Sequence, residues 1–124
     1  MQVSSFDHGP VLIQAKVPQP EPRDGELLIR VRAAGVTPTE LFWYPTTHTK
    51  DGGTRTNAVP GHEFSGVVAA LGKGVHDFNV GDEIYGMNDW FADGATAEFC
   101  LTLPQNIALK PKTLTHELAA TVPI

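Results

Sequence analysis

A mainly β domain, a barrel or sandwich carrying only short helices, is the fold this sequence predicts. Three observations carry the prediction. Apolar and polar residues alternate with period two in several runs, most cleanly from Leu27 to Ala33. Twelve glycines and ten prolines are scattered along the 124 residues, which suits frequent turns between short strands. Helix signals are confined to two short segments. With 41% hydrophobic and 19% charged residues, the chain has the composition of one folded domain rather than of a disordered segment.

The elements follow in order. Val11 to Val17 alternates, with Val11, Ile13, Ala15 and Val17 on one face and Gln14 and Lys16 on the other, and is expected as a half-buried strand. Pro18-Gln19-Pro20-Glu21-Pro22 breaks any ladder and reads as an extended connector. Leu27 to Ala33 is the second strand, with Ile29, Val31 and Ala33 inward and Arg30 and Arg32 outward. Thr37-Pro38-Thr39-Glu40 is a helix start: Thr37 as N-cap, Pro38 at the first helical position and Glu40 completing a capping box. A short aromatic helix, Leu41-Phe42-Trp43-Tyr44, would end at Pro45. Residues 46–58 are polar, hold Gly52-Gly53 and are expected as a long mobile loop.

Phe64 to Leu71 is a nearly continuous apolar strand, closed by the turn Gly72-Lys73-Gly74. Val80-Gly81-Asp82 turns the chain into a strand at Glu83-Ile84-Tyr85. Asn88 to Gly94 is a loop carrying Trp90 and Phe91, and Ala97 to Leu103 is a further strand stopped by Pro104. Thr115 is placed to cap a last short helix with Glu117 in its first turn.

Composition removes several functions. Nine basic against fourteen acidic residues give a net charge of −5, the opposite of a nucleic-acid footprint. No apolar run reaches membrane-spanning length and the first residues lack signal-peptide character, so a cytoplasmic location and no membrane partner are expected. Cys100 is the only cysteine, which rules out an intrachain disulfide and a multi-cysteine zinc site. On its apolar strand it is expected to be an inert buried thiol. His8, His48, His76 and His116 lie in polar surroundings and read as solvated.

The candidate chemistry sits in Pro60-Gly61-His62-Glu63-Phe64-Ser65-Gly66, where a histidine and a glutamate are adjacent between glycines. Such a pair can bind a metal, move a proton or hold a hydrogen bond. The segment is not H-E-x-x-H, so it is no zincin site. The bland alternative is a structural or pocket-lining His62, with Glu63 a buried acceptor for backbone or arginine donors.

Four motifs in order point to a family. Val31-Arg32-Ala33-Ala34-Gly35-Val36, then Pro60 to Val68, then Val80-Gly81-Asp82-Glu83-Ile84-Tyr85-Gly86, then Gly94-Ala95-Thr96-Ala97-Glu98-Phe99 resemble the N-terminal, GroES-like domain of medium-chain dehydrogenases/reductases. The resemblance covers essentially all of residues 1–124 and implies a partly open GroES-like β-barrel with short helices. It also implies a Rossmann NAD(P)-binding domain beyond residue 124, so the chain is expected to be the substrate side of a larger enzyme and inactive by itself. The only G-x-G, Gly72-Lys73-Gly74, has Asp77 where a third glycine would stand and no helix pattern after it.

In zinc members of the family the metal takes a cysteine after the Ala-Ala-Gly-Val motif, the histidine of Gly-His-Glu, and a third ligand from further along the chain. Here Thr37 stands at the first position. No zinc and no metal ligand are therefore expected. Thr37-Pro38-Thr39-Glu40 instead resembles the Asn-Pro-x-Glu/Asp segment of quinone oxidoreductases, with Thr for Asn. The resemblance implies an NAD(P)H-dependent reductase of a small carbonyl, quinone or enone. Thr39 is its candidate catalytic hydrogen-bond donor, Thr37 a candidate cofactor contact, and Thr37, Pro38, Phe42, His62, Glu63 and Trp90 its substrate pocket. The alternatives are a zinc alcohol dehydrogenase with atypical ligands at His62 and Glu63, and a stand-alone GroES-like binding or assembly module. A face left uncovered without the Rossmann domain is expected to drive self-association.

Overall fold

The computed structural model describes the backbone of residues 1–124 and every side chain except that of Phe6. Seven strands form two antiparallel sheets that do not close into one barrel. Strands β1 (Gln2–Phe6) and β2 (Gly9–Ile13) make a separate hairpin. Strands β3 (Leu27–Ala34), β4 (Glu63–Leu71), β5 (Glu83–Met87), β6 (Phe99–Thr102) and β7 (Ile107–Leu109) form a sheet in the order β6-β3-β4-β5-β7.

The β3–β4 pair is the spine of this sheet. Its inward residues Leu27, Ile29, Phe64 and Val68 meet Ile84 of β5 in the core, each at 0–1% exposure. The alternation expected over Leu27 to Ala33 holds from Ile29 onward, with Arg30 and Arg32 exposed, while Leu27 and Leu28 are both buried. Two register shifts, between Leu28 and Ile29 and between Val31 and Ala33, bend β3 against β4. Gly66 is required at this crossing, because a Cβ there would collide with the Arg30 carbonyl and stand 2.7 Å from Ile29 Cγ2.

Several expectations are corrected. The first strand runs Gly9–Ile13, not Val11 to Val17, and pairs with residues 2–6, which carry no clear alternation in sequence. Val11 and Leu12 are both exposed because β2 lies in a two-stranded hairpin outside the main sheet. β6 is shorter than expected, and β7 is too brief to show a period. The aromatic segment is a 3-10 helix over Pro38–Phe42 followed by α1 (Tyr44–Thr47). Pro45 falls in the first turn of α1, where its missing N–H costs nothing, rather than ending a helix.

Residues 46–58 are ordered rather than a free loop. His48 bridges Thr54, Thr49 N–H donates to the Gly53 carbonyl at 2.9 Å, and Arg55 N–H to the Thr47 carbonyl at 2.9 Å. The last helix, α2 (His116–Ala119), is capped as expected, Thr115 Oγ1 accepting from Leu118 N–H at 3.3 Å.

Candidate functional site

Gly61 is the pivot of the site. Its φ of +84° is a left-handed conformation, and a Cβ there would collide with the Thr96 hydroxyl. Immediately after it the chain becomes strand, so His62 and Glu63 point to opposite sides. The sequence-adjacent pair therefore does not act as one group.

His62 is 2% exposed and engaged at both ring nitrogens. Nδ1 lies 2.5 Å from Glu40 Oε1, and Nε2 lies 3.1 Å from the Ala92 carbonyl. Each ring nitrogen therefore has an oxygen partner within hydrogen-bond distance. Glu40 is equally buried, and the same Oε1 accepts from Gly61 N–H at 2.9 Å. This corrects the capping-box reading. Thr37 occupies the N-cap position but makes no side-chain cap, and Glu40 turns inward to bind Gly61 and His62. Sequence reasoning missed Glu40 as a site residue, because its partners lie 21 and 22 positions away.

Glu63 is 9% exposed, and among the described residues no hydrogen bond from a protein donor reaches its carboxylate. No buried side-chain oxygen is left unpartnered, so its carboxylate oxygens touch solvent. The expectation of a hydrogen-bonded Glu63 is corrected to a carboxylate folded over Gly35.

Aromatic residues flank His62. Trp90 is tilted on the imidazole at 5.1 Å between ring centroids, and Trp43 meets Trp90 edge to face at 5.1 Å. Phe42 is 69% exposed, and Pro38 and Thr39 are exposed beside it. Thr37 is half-buried with its hydroxyl free of any cap bond. The structure thus brings His62 and Trp90 together and places Thr37, Pro38, Thr39 and Phe42 on one short surface segment. Two cavities, of about 640 and 750 Å³, lie elsewhere, along the free edge of β6. The smaller touches the Trp90 loop at Asp89 and Ala92, but neither is lined by Thr37, His62 or Glu63.

The donor set does not fit zinc. Both His62 nitrogens are committed, Glu63 faces away from His62, and Thr37 is a poor ligand. Among the described residues no cluster of three or more His, Cys, Asp or Glu side chains could hold a metal. Gly72-Lys73-Gly74 does not build a dinucleotide phosphate cradle. Gly72 is packed so closely on the Arg23 backbone that a Cβ would collide, and Gly74 (φ +86°) completes a turn with no helix after it.

A second polar array lies at α2. His116 Nδ1 is 2.7 Å from Ser65 Oγ, and His116 Nε2 is 3.2 Å from Glu83 Oε1. It has the order of a nucleophilic triad but not its function. Ser65 is fully buried and donates its one proton to the Ile84 carbonyl at 2.8 Å. The array anchors α2 to β4 and β5. His116 is therefore not simply solvated, and neither is His48, which stacks on Tyr44 at 4.3 Å. Among the described residues no helix is long and apolar enough to cross a membrane.

Comparison with known proteins agrees with this architecture. Residues 23–112 match the alcohol dehydrogenase GroES-like domain. A probable zinc-binding mitochondrial oxidoreductase of Arthroderma benhamiae is 36% identical over 107 residues, covering 86% of this chain and 31% of that protein. The quinone oxidoreductase of Coxiella burnetii superposes with a TM-score of 0.82 at 27% identity, covering 98% of this chain and 39% of that one. A mycobacterial protein solved in complex with NADPH has a TM-score of 0.69 at 34% identity, covering 86% and 31%. The chain thus spans about a third of the length of these relatives. It belongs to the alcohol dehydrogenase GroES-like domain family, as the N-terminal domain of a medium-chain dehydrogenase/reductase.

Proposed function

We propose that this chain is the substrate-side domain of an NAD(P)H-dependent oxidoreductase that reduces a small carbonyl, enone or quinone without zinc. The observation that carries the reading is the commitment of both His62 nitrogens, to Glu40 and to the Ala92 carbonyl, with Thr37 where a zinc enzyme would need a thiolate. The Coxiella quinone oxidoreductase and the NADPH-bound mycobacterial relative support the class of reaction. NAD(P)H supplies a hydride when bound, and its phosphate site belongs to a nucleotide domain outside residues 1–124.

The residues of this chain act by positioning. Trp43 and Trp90, edge to face, form the apolar wall against which a planar acceptor lies, with Phe42 exposed on the segment that carries Trp43. The Glu40–His62–Ala92 chain holds that wall rigid from behind. Thr37, which makes no side-chain cap bond, and the exposed Thr39 offer hydroxyls on the segment that leads into Trp43. The Thr39 hydroxyl would donate to the substrate oxygen, where negative charge gathers on reduction.

The test uses the longer protein that includes the nucleotide site. NADPH oxidation is followed with 1,4-benzoquinone and with a 2-alkenal, against NADP⁺-dependent ethanol oxidation. Reduction of either acceptor supports the reading. Alcohol oxidation alone would sink it.

A further inference from the structure

We propose that Arg55 is the positioning residue that keeps the two aromatic walls of this site together over His62. The inference rests on the substrate-wall reading only for its consequence; the clamp itself is in the geometry. One wall is the 3-10 helix with α1, which carries Phe42, Trp43 and Tyr44. The other is the loop 88–94, which carries Trp90 and Phe91. These segments are more than forty positions apart in sequence.

The Arg55 guanidinium spans both. Nη1 donates to the Pro45 carbonyl of α1 at 2.7 Å. Nη2 donates to the Ala92 carbonyl at 2.9 Å and to Asp93 Oδ1 at 2.9 Å. The side chain is 13% exposed, so the fork is held against protein rather than water. Asp93 Oδ1 also accepts from Val59 N–H at 3.1 Å, which fixes the base of the loop. The Ala92 carbonyl is shared between Arg55 and His62 Nε2. Arg55 therefore sets the place of the one acceptor that ties His62 to the loop.

A planar fork is needed for this task. Two carbonyls and a carboxylate on two segments are met at once by donors of fixed direction, which a lysine ammonium cannot reproduce. Backbone hydrogen bonds explain the fold of residues 46–54 without the Arg55 side chain, so the guanidinium contacts are specific to the wall spacing.

Hydrogen exchange of the 124-residue chain tests the proposal without substrate or cofactor, so a failure of the enzymatic reading leaves the answer intact. Asn88 N–H, bonded to the His62 carbonyl, and Gly94 N–H, bonded to the Val59 carbonyl, report the loop. Ile84 N–H in β5 reports the sheet. With Arg55→Lys, protection at Asn88 and Gly94 is expected to fall roughly tenfold relative to Ile84, the effect of losing one charge-assisted bond on a local opening. Val75→Ala, which thins the core away from the loop, is the control for general destabilisation and should leave the ratio unchanged. Equal protection in Arg55→Lys and wild type, or a uniform fall that includes Ile84, would overturn the proposal. Asp93→Asn keeps the two carbonyl acceptors and is expected to give a smaller fall in the same two amides.

Discussion

Replacing Glu40 by alanine tests the site at its most buried point. The side chain is 3% exposed and holds two partners, His62 Nδ1 at 2.5 Å and Gly61 N–H at 2.9 Å. Alanine leaves both donors buried without an acceptor. A hydrogen bond to a charged group contributes about 1.5–3 kcal/mol, and removing one partner of a buried pair costs about 3–5 kcal/mol. The two routes agree on a loss of about 3–5 kcal/mol, a large part of the roughly 5–15 kcal/mol that holds a domain folded. Glu40→Gln keeps a carbonyl oxygen for Gly61 and should lose only about 1–2 kcal/mol. Urea unfolding of the three proteins, followed by tryptophan fluorescence, measures the difference. A Glu40→Ala protein within about 1 kcal/mol of wild type would refute the claim that Glu40 anchors His62.

The neighbouring carboxylate should behave oppositely. Glu63→Gln is expected to change stability by no more than about 0.5 kcal/mol in the same assay, since no protein donor is lost; a loss above about 2 kcal/mol would mean an unseen partner. Burial pushes the Cys100 thiol up to about 12, so it stays protonated at pH 8. An aromatic disulfide reagent should leave the folded chain unmodified at that pH and react on addition of urea; rapid labelling of the folded chain would contradict the burial. The ammonium of Lys110, and then His116, holds the Glu83 carboxyl below the usual carboxylate range. A lowered folded value means this contribution to stability is present above the ordinary carboxylate value and is lost as pH falls through the folded one. Carbon-13 NMR of the Glu83 carboxyl should show its titration move up in Lys110→Met; an unmoved titration would remove Lys110 as the cause.

The spine of the sheet was legible because its signal is local. Leu27 to Ala34 shows an inward face from Ile29 onward and Glu63 to Leu71 is buried on both faces at its start, and period-two alternation or an apolar run reports each directly. Strand β2 was misplaced because a hairpin outside the main sheet has no such face to bury, leaving Val11 and Leu12 exposed. The site was half legible. Gly61 and Gly66 frame the His62-Glu63 pair in sequence, and both make close backbone contacts that a side chain would block. Glu40 was hidden because Thr37-Pro38-Thr39-Glu40 satisfies a local capping pattern, while its partners are set by tertiary packing. Arg55 was hidden for a related reason: its three acceptors are carbonyl and carboxylate groups of segments remote in sequence, and a polar stretch around Gly52-Gly53 gives no periodic sign of them. Thr37 at the expected cysteine position could be read from the sequence alone, whereas the oxygen partners of both His62 nitrogens are set by tertiary packing.

The central claim is that His62 serves the wall of a zinc-independent reductase. Its most direct test is turnover of the longer protein after exhaustive chelation, with metal content measured on the same sample. The account predicts undiminished NADPH-dependent reduction of quinone or enal at substoichiometric zinc. Activity that disappears with the metal and returns with one equivalent of zinc would contradict it.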